Sequence, residues 1–179
     1  MRDGPAAPPV PRTVLLTLGS NIDPEIRLFE ALDELDRILE LASVSSIYEA
    51  DPVGAPGTPV FLNAAARLTS DRDPRALKRE VCRPLEARLG RIRGPDPNAP
   101  RTIDIDIAAV SAGPPKPEGG ELEVLDPDIA VNAHLALPLG DVAPACIHPD
   151  ERATLGEIAA RFVDAPGIRR RADLRWPRP

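Results

Sequence analysis

Two cysteines in 179 residues, Cys82 and Cys146, are too few for a disulfide framework, and neither has a nearby partner for a zinc site. That excludes a small stapled scaffold and points to reduced, unpaired thiols. No apolar run approaches the roughly 18 residues of a membrane span. The opening MRDGPAAPPVPR has no hydrophobic region of the signal-peptide kind. The expectation is a cytoplasmic protein that touches no membrane. A basic excess is missing as well: 22 Lys and Arg face 28 Asp and Glu, for a net charge of -6. That argues against nucleic-acid partners but leaves room for a small anion held by a local arginine cluster. No internal repeat is present.

What remains is an ordinary globular composition, 42% hydrophobic and 28% charged, at a length that suits one domain with a real core. Residues 1–11 are rich in Pro and Ala and are expected to be disordered. Residues 12–165 are expected to form the single domain, and 166–179 an Arg- and Pro-rich loose tail. Residues 13–18, TVLLTL, read as a buried strand. Asp23 and Pro24 then start a helix, with the Asp side chain as cap, and Leu28, Leu32, Leu35 and Leu39 carry it to about residue 40. Residues 43–50 and 60–68 read as strands on either side of a Pro/Gly loop. Asp73-Pro74 repeats the helix-start signal. Leu77, Val81, Leu85 and Leu89 give the second helix its apolar face, Pro84 should kink it and Gly90 ends it. Another strand follows at PRTIDIDIAAV, a connector at 113–121, and a last helix at about 154–163 opened by a Thr154/Glu157 capping box. The order β-α-β-β-α-β predicts an α+β fold with a ferredoxin-like core and a C-terminal extension of short strands and helices.

The strand at residues 100–110 is chemically odd. Ile103, Ile105 and Ile107 alternate with Thr102, Asp104 and Asp106, so the two carboxylates share a face roughly 6–7 Å apart. Like charges at that spacing repel. Either solvent screens them, or hard cations sit between them. Mg²⁺ takes one or two carboxylates together with waters and phosphate oxygens, and two such ions can clamp a phosphoryl transfer. Arg91, Arg93 and Arg101 lie within a dozen residues, and Arg is suited to bidentate phosphate contacts. Metals and arginines together make a plausible kit for phosphoryl transfer.

The ordered set GSN, VSSIYEADPVG, FLNAA, EARLGRIR, APRTIDIDI and LPLGDVAP resembles the 6-hydroxymethyl-7,8-dihydropterin pyrophosphokinase family over residues 13–163. GSN alone is weak; the set is specific. The resemblance implies transfer of pyrophosphate from MgATP to the pterin hydroxymethyl oxygen in folate biosynthesis, with AMP released, by a monomer using two Mg²⁺ ions. Asp104 and Asp106 match the metal-holding aspartates, and Arg91 and Arg101 the arginines on the transferred phosphates. Glu86, Arg93, Thr102, Ile107 and Asp126 fall on the ATP side. Ala50, Asp51, Val53, Gly54, Phe61, Asn63 and His134 fall on the pterin side. A flat pterin with a donor/acceptor edge suits an aromatic and an amide two apart on one strand, as Phe61 and Asn63 are.

The pattern departs from the family in places. Val124-Leu125-Asp126-Pro127 stands for a Leu-Pro-His-Pro run, and Asn132-Ala133-His134 for Arg-Ala-Phe. Glu121 and Glu123 lie where nucleotide contacts are expected, and Ala50 replaces a Thr. Acids beside a polyanion should weaken its binding, which keeps a second reading open: a non-catalytic paralogue that binds a pterin or nucleotide as a regulator.

Overall fold

The computed structural model describes residues 10–52, 59–94, 99–117 and 119–176. The N-terminal segment 1–9, expected to be disordered, lies outside the described residues. Strand β1, Arg12–Ser20, is buried along most of its length because helices cover both faces of its sheet. Its even residues Val14, Leu16 and Leu18 pack with Leu28, Leu32 and Leu35 of helix α1, Pro24–Leu39. Leu15 faces the other way, into a second core with Ala136 and Leu139 of α4, Ala133–Val142. TVLLTL is therefore continuously apolar rather than alternating. Truncating one such leucine to Ala costs about 2–5 kcal/mol.

α1 starts where predicted, but Asp23 does not cap it through its side chain; it takes a left-handed conformation at φ 47°. The residues just before it are tied to another loop, since the N–H groups of Asn21 and Ile22 both donate to the Arg101 carbonyl. The predicted strand at 43–50 is two: β2, Ser43–Val44, and β3, Tyr48–Ala50. Between them the Ser45 hydroxyl accepts the Ala65 N–H, and the Ser46 N–H turns away to Asp141. Both pieces pair antiparallel with β4, Phe61–Ser70. The second long helix, by contrast, begins on a true side-chain cap: Asp73 accepts from Arg75 and Ala76. It runs as α2, Pro74–Leu77, one wide π turn, Lys78–Cys82, and α3, Arg83–Arg88. Pro84 has no N–H to give and its ring would strike the carbonyl four residues back. The wide turn resolves this, with Arg83 donating to Lys78 five residues earlier.

Strand β5 is Asp104–Ser111, so Ile103 lies just ahead of it, fully buried. β6, Leu122–Val124, pairs with the far end of β5, and β9, Ile168–Arg170, with β3. The sheet order is β6-β5-β1-β4-β3-β9, with every pair antiparallel. The architecture is α+β, with α1 and α3 on one face and α4 and α5, Leu155–Ala160, on the other. β7, Ile147–His148, and β8, Ala153–Thr154, form a separate small hairpin, and the predicted Thr154/Glu157 capping box opens α5.

The segment expected to be a loose tail is not loose over its described part. β9 adds a strand to the sheet edge, Arg171 bonds Glu49, Glu25 and Asp173, and the Trp176 indole N–H donates to Asp33 at 2.9 Å. Leu174 and Trp176 pack on the core. A three-residue strand with two arginines carries no apolar period to read, so only its partners reveal it.

Candidate active site

Asn63, Gly19 and Asp104 lie in one cross-strand row, and Ala65, Thr17 and Asp106 in the next. With Phe61 two residues before Asn63, these side chains share the sheet face toward α4. Gly19 is the floor: a Cβ there would sit 3.2 Å from the Asn63 Oδ1. The two residues after it act as a clamp. Ser20 Oγ donates to the Thr102 carbonyl at 2.5 Å, and Asn21 Oδ1 accepts the Arg101 N–H at 2.7 Å. The GSN triplet thus fixes the loop that delivers Arg101 and Thr102.

Asp104 is gripped by two guanidiniums, Arg91 at 2.7 Å on Oδ1 and Arg101 at 2.7 Å on Oδ2. Burial pushes its carboxyl pKa up, but the two arginines outweigh that and hold it below the usual carboxylate range. Arg91 also donates to the Ile103 carbonyl at 2.8 Å, and Arg101 stacks on Phe61, 5.6 Å from the ring centroid. Asp106 is half exposed and meets Lys78, with Nζ to Oδ1 at 2.7 Å.

Lys78 and Glu86 complete the strand edge. β6 pairs with β5 only over Ala109–Ser111, so an outer edge at Ile105 would be unpaired. The Glu86 carboxylate instead accepts the Ile105 N–H at 2.9 Å, and the Lys78 ammonium donates to the Ile105 carbonyl. Helix side chains take the place of a neighbouring strand, on the residue between the two aspartates. Glu86 is 1% exposed and is also paired with Lys78 at 3.3 Å and with Arg93. Cys82, beside this group on the π turn, is inert, since burial raises its thiol pKa to about 11.

Two concavities flank Asp106. A small one, about 200 Å³, is lined by Thr17, Gly19, Phe61, Arg101, Asp104, Asp106, Asp126, Asp128, Asn132 and His134. A larger one, about 570 Å³, is lined by Arg12, Asp73, Pro74, Arg75, Lys78, Arg79, Arg83, Asp106, Ile107, Glu123 and Leu125. Its rim is predominantly basic, and Glu123 is neutralised by Arg12 at 2.7 Å. A bulge at Ala108 sets the wall of the small cavity. The pairing of β1 with β5 skips that residue, and its carbonyl accepts from both Leu125 and Asp126. Asp126 then caps a 3-10 turn, Pro127–Ala130, through the Asp128 N–H. Burial lowers the His134 pKa, against the pull of Asp126 and Asp128.

A family model described as 7,8-dihydro-6-hydroxymethylpterin-pyrophosphokinase (HPPK) matches residues 15–144. The chain belongs to this family. A 2-amino-4-hydroxy-6-hydroxymethyldihydropteridine pyrophosphokinase of Porphyromonas gingivalis is 34% identical over 141 residues, 76% of this chain and 94% of that protein. One of Methylorubrum extorquens is 33% identical over 158 residues, 87% of this chain and 96% of that one. Among solved structures, a Plasmodium falciparum HPPK-DHPS bound to pterin and p-hydroxybenzoate matches with a TM-score of 0.66 at 12% identity. That likeness covers 89% of this chain but 47% of the Plasmodium chain, and it speaks to the fold alone.

The structure places seven of the sixteen predicted residues on these two cavities. Phe61, Arg101, Asp104, Asp106, Asp126 and His134 line one cavity, and Ile107 the adjoining one. Asn63 is buried with its Nδ2 unpartnered, and the buried Thr102 hydroxyl is likewise without a partner. Ala50 is buried at the end of β3, and the Asp51 N–H donates to Gly167 at 2.8 Å. Val53 and Gly54 lie outside the described residues. Glu86 lines neither of these two cavities; it is 1% exposed, with its carboxylate on the Ile105 N–H between the two aspartates. Glu121 sits on the wall of another cavity with Ser111 and Cys146, away from Asp106. Lys78, Asp128 and the arginines of α2 and α3 have no counterpart among the predicted residues. On a helix read only for its apolar stripe, Lys78 and the arginines pass for the solvated face.

Proposed function

We propose that the chain transfers the pyrophosphoryl group of ATP to the hydroxymethyl oxygen of 6-hydroxymethyl-7,8-dihydropterin, a step of folate biosynthesis, and releases AMP. The observation that carries this reading is that two concavities of different character meet at Asp106: a small one with an aromatic, an arginine and a histidine, and a larger basic one. The first suits a flat heterocycle and the second a polyphosphate. The pterin hydroxymethyl oxygen bonds to the β-phosphorus and gives its proton to solvent as the bond from that phosphorus to the bridging oxygen breaks, and AMP leaves with that oxygen.

Asp104 and Asp106 are hard monodentate oxygen donors on one sheet face, and among the described residues no cluster of three or more His, Cys, Asp or Glu forms a closed cage. Such a donor set fits Mg²⁺, which keeps waters and substrate phosphates as further ligands. We assign these two aspartates as holders of two Mg²⁺ ions, which when bound would neutralise charge on the transferred phosphates. Arg91 and Arg101, aimed at Asp104, stand ready to move part of their hydrogen bonding onto phosphate oxygens. Phe61 and His134 bracket the pterin plane. Asn63 offers its unpartnered amide to the pterin edge, where a buried donor gains most from a partner. Ala50, Asp51, Val53 and Gly54 are assigned to the pterin loop, and Thr102, Ile107, Asp126 and Arg93 to the nucleotide side. Glu86 acts by holding β5 rather than by touching nucleotide.

The sheet order β5-β1-β4-β3, with α1 and α3 on one face, supports a ferredoxin-like core. One chain supplies both cavities, which supports action as a monomer. Among the described residues no helix is long and apolar enough to cross a membrane, and the two buried free thiols favour a reducing, cytoplasmic location. The test is direct: purified protein, ATP, Mg²⁺ and 6-hydroxymethyl-7,8-dihydropterin should give AMP only when all components are present. Pterin binding by folded protein without AMP release refutes the assignment.

A further inference from the structure

Lys78 stands at the one carboxylate that both cavities share. Its ammonium reaches three acceptors on two elements: Asp106 at 2.7 Å, Glu86 at 3.3 Å and the Ile105 carbonyl. The side chain is 21% exposed, against 51% for Asp106 and 1% for Glu86. All three contacts are made by the terminal ammonium, with Glu86 on the covered side and Asp106 on the side of the larger cavity. That cavity also carries Arg12, Arg75, Arg79 and Arg83 against Asp73 and Glu123, so an anion there meets an excess of cations.

The two aspartates are neutralised differently. Asp104 is held by two planar guanidiniums arriving from two loops. Asp106 is held by a single ammonium on a flexible four-carbon stem, a compact and strongly hydrated charge that exchanges partners readily. Lys78 also opens the π turn, a local widening of the kind often found at functional positions. A cation that keeps two anchors and can give up a third is built to exchange.

We propose that Lys78 is a further polyphosphate-contacting residue of the pyrophosphoryl transfer. Its ammonium neutralises Asp106 in the empty protein, then releases that carboxylate and donates to the nucleotide's phosphate oxygens when the nucleotide and its metal bind. The inference rests on the reading of Asp106 as a metal holder. Like charge requires the exchange: a dication on Asp106 and an ammonium 2.7 Å from the same oxygen repel, and the incoming phosphates are the nearest new acceptors. The anchors on Glu86 and the Ile105 carbonyl keep the stem in place.

The exchange predicts opposite shifts for one substitution. In Lys78→Met and Lys78→Gln, Asp106 loses its competing cation, so MnCl₂ alone, titrated by electron paramagnetic resonance, should bind about fivefold tighter. The same variants lose a charge-assisted contact to phosphate, so α,β-methylene ATP with Mg²⁺, measured by calorimetry, should bind about tenfold weaker. Lys78→Arg should recover most of the nucleotide affinity. A residue that only supports the fold would weaken both ligands together. Tighter Mn²⁺ with weaker nucleotide in both neutral variants supports the proposal, and any other pair of shifts overturns it. Asp106→Asn separates the two layers. If it leaves Mn²⁺ binding unchanged, the metal reading falls and this inference with it. If it weakens Mn²⁺ while the Lys78 variants move nothing, the role of Lys78 alone falls.

Discussion

Replacing Glu86 tests whether the metal platform is held from beneath. Its carboxylate accepts the Ile105 N–H at 2.9 Å and pairs with Lys78 and Arg93. In Glu86→Gln the amide oxygen can still take the Ile105 N–H, but both ion pairs are lost. A hydrogen bond to a charged group contributes about 1.5–3 kcal/mol. The Arg93 side chain is 54% exposed, so its share is discounted to below about 1 kcal/mol by solvent. Lys78 keeps the Ile105 carbonyl and Asp106, which limits the damage well short of the roughly 3–5 kcal/mol of a stranded buried charge. The sum is about 2–3 kcal/mol, which for a chain of this size lowers Tm by roughly 5–10 °C. Glu86→Leu also strands a buried N–H and should cost about 1–3 kcal/mol more.

The catalytic effect should follow from position. Ile105 carries an aspartate on each side, and a shift of about 1 Å in a reacting constellation can cost on the order of a hundredfold in rate. Glu86→Gln should therefore lower kcat at least tenfold with modest change in either KM, read by AMP release alongside thermal unfolding. A Tm within about 1 °C of wild type with full kcat refutes the pinning argument. A rise in the ATP KM alone, with Tm unchanged, assigns Glu86 to direct nucleotide contact instead.

Further outcomes follow from the same geometry. Asp104→Asn and Asp106→Asn should each cut AMP formation by about a thousandfold, the loss of several kcal/mol of charge stabilisation, with circular dichroism unchanged; near-wild-type rates in both remove the metal assignment. Asn63→Leu should raise the pterin KM about tenfold without lowering Tm, because it removes a buried amide nitrogen that has no partner; a large fall in Tm shows the amide to be structural. His134 has a pKa lowered by burial from its ordinary 6.5, so its contribution to stability is full above pH 6.5 and is lost as pH falls toward the folded value. His134→Gln should flatten the decline of the urea midpoint below pH 6.5, and an unchanged decline counts against a partly buried neutral imidazole. Deleting residues 167–179 removes β9 and the Gly167 carbonyl that holds the Asp51 N–H, so the pterin KM should rise more than the ATP KM; equal changes in both would show a general loss of structure.

Elements with an internal period were legible in the sequence. The leucines of α1, the alternation of β5 and the Thr154/Glu157 box each state their own geometry, and each appears within a few residues of its predicted place. Elements made by partners were not. Ser45 breaks a strand because Ala65 donates to its hydroxyl, and β9 exists because β3 offers an edge. The site divides along the same line. Asp104 and Asp106 are visible because two carboxylates share one strand face with Arg91, Arg93 and Arg101 close by in the sequence. Lys78 is invisible because an exposed-looking lysine on a helix is the commonest of patterns, and its meaning arises only where the π turn carries it to β5. Glu86 shows the converse: its place near the arginines is legible, but its burial and its bond to the Ile105 N–H are not. The acids that looked hostile to a nucleotide lose much of that force in three dimensions. Glu123 is paired with Arg12, Asp126 caps a turn, and Glu121 faces another cavity. Local charge in the sequence overstates repulsion whenever the fold supplies a counter-charge from a hundred residues away, as Arg12 does for Glu123, |i−j| = 111.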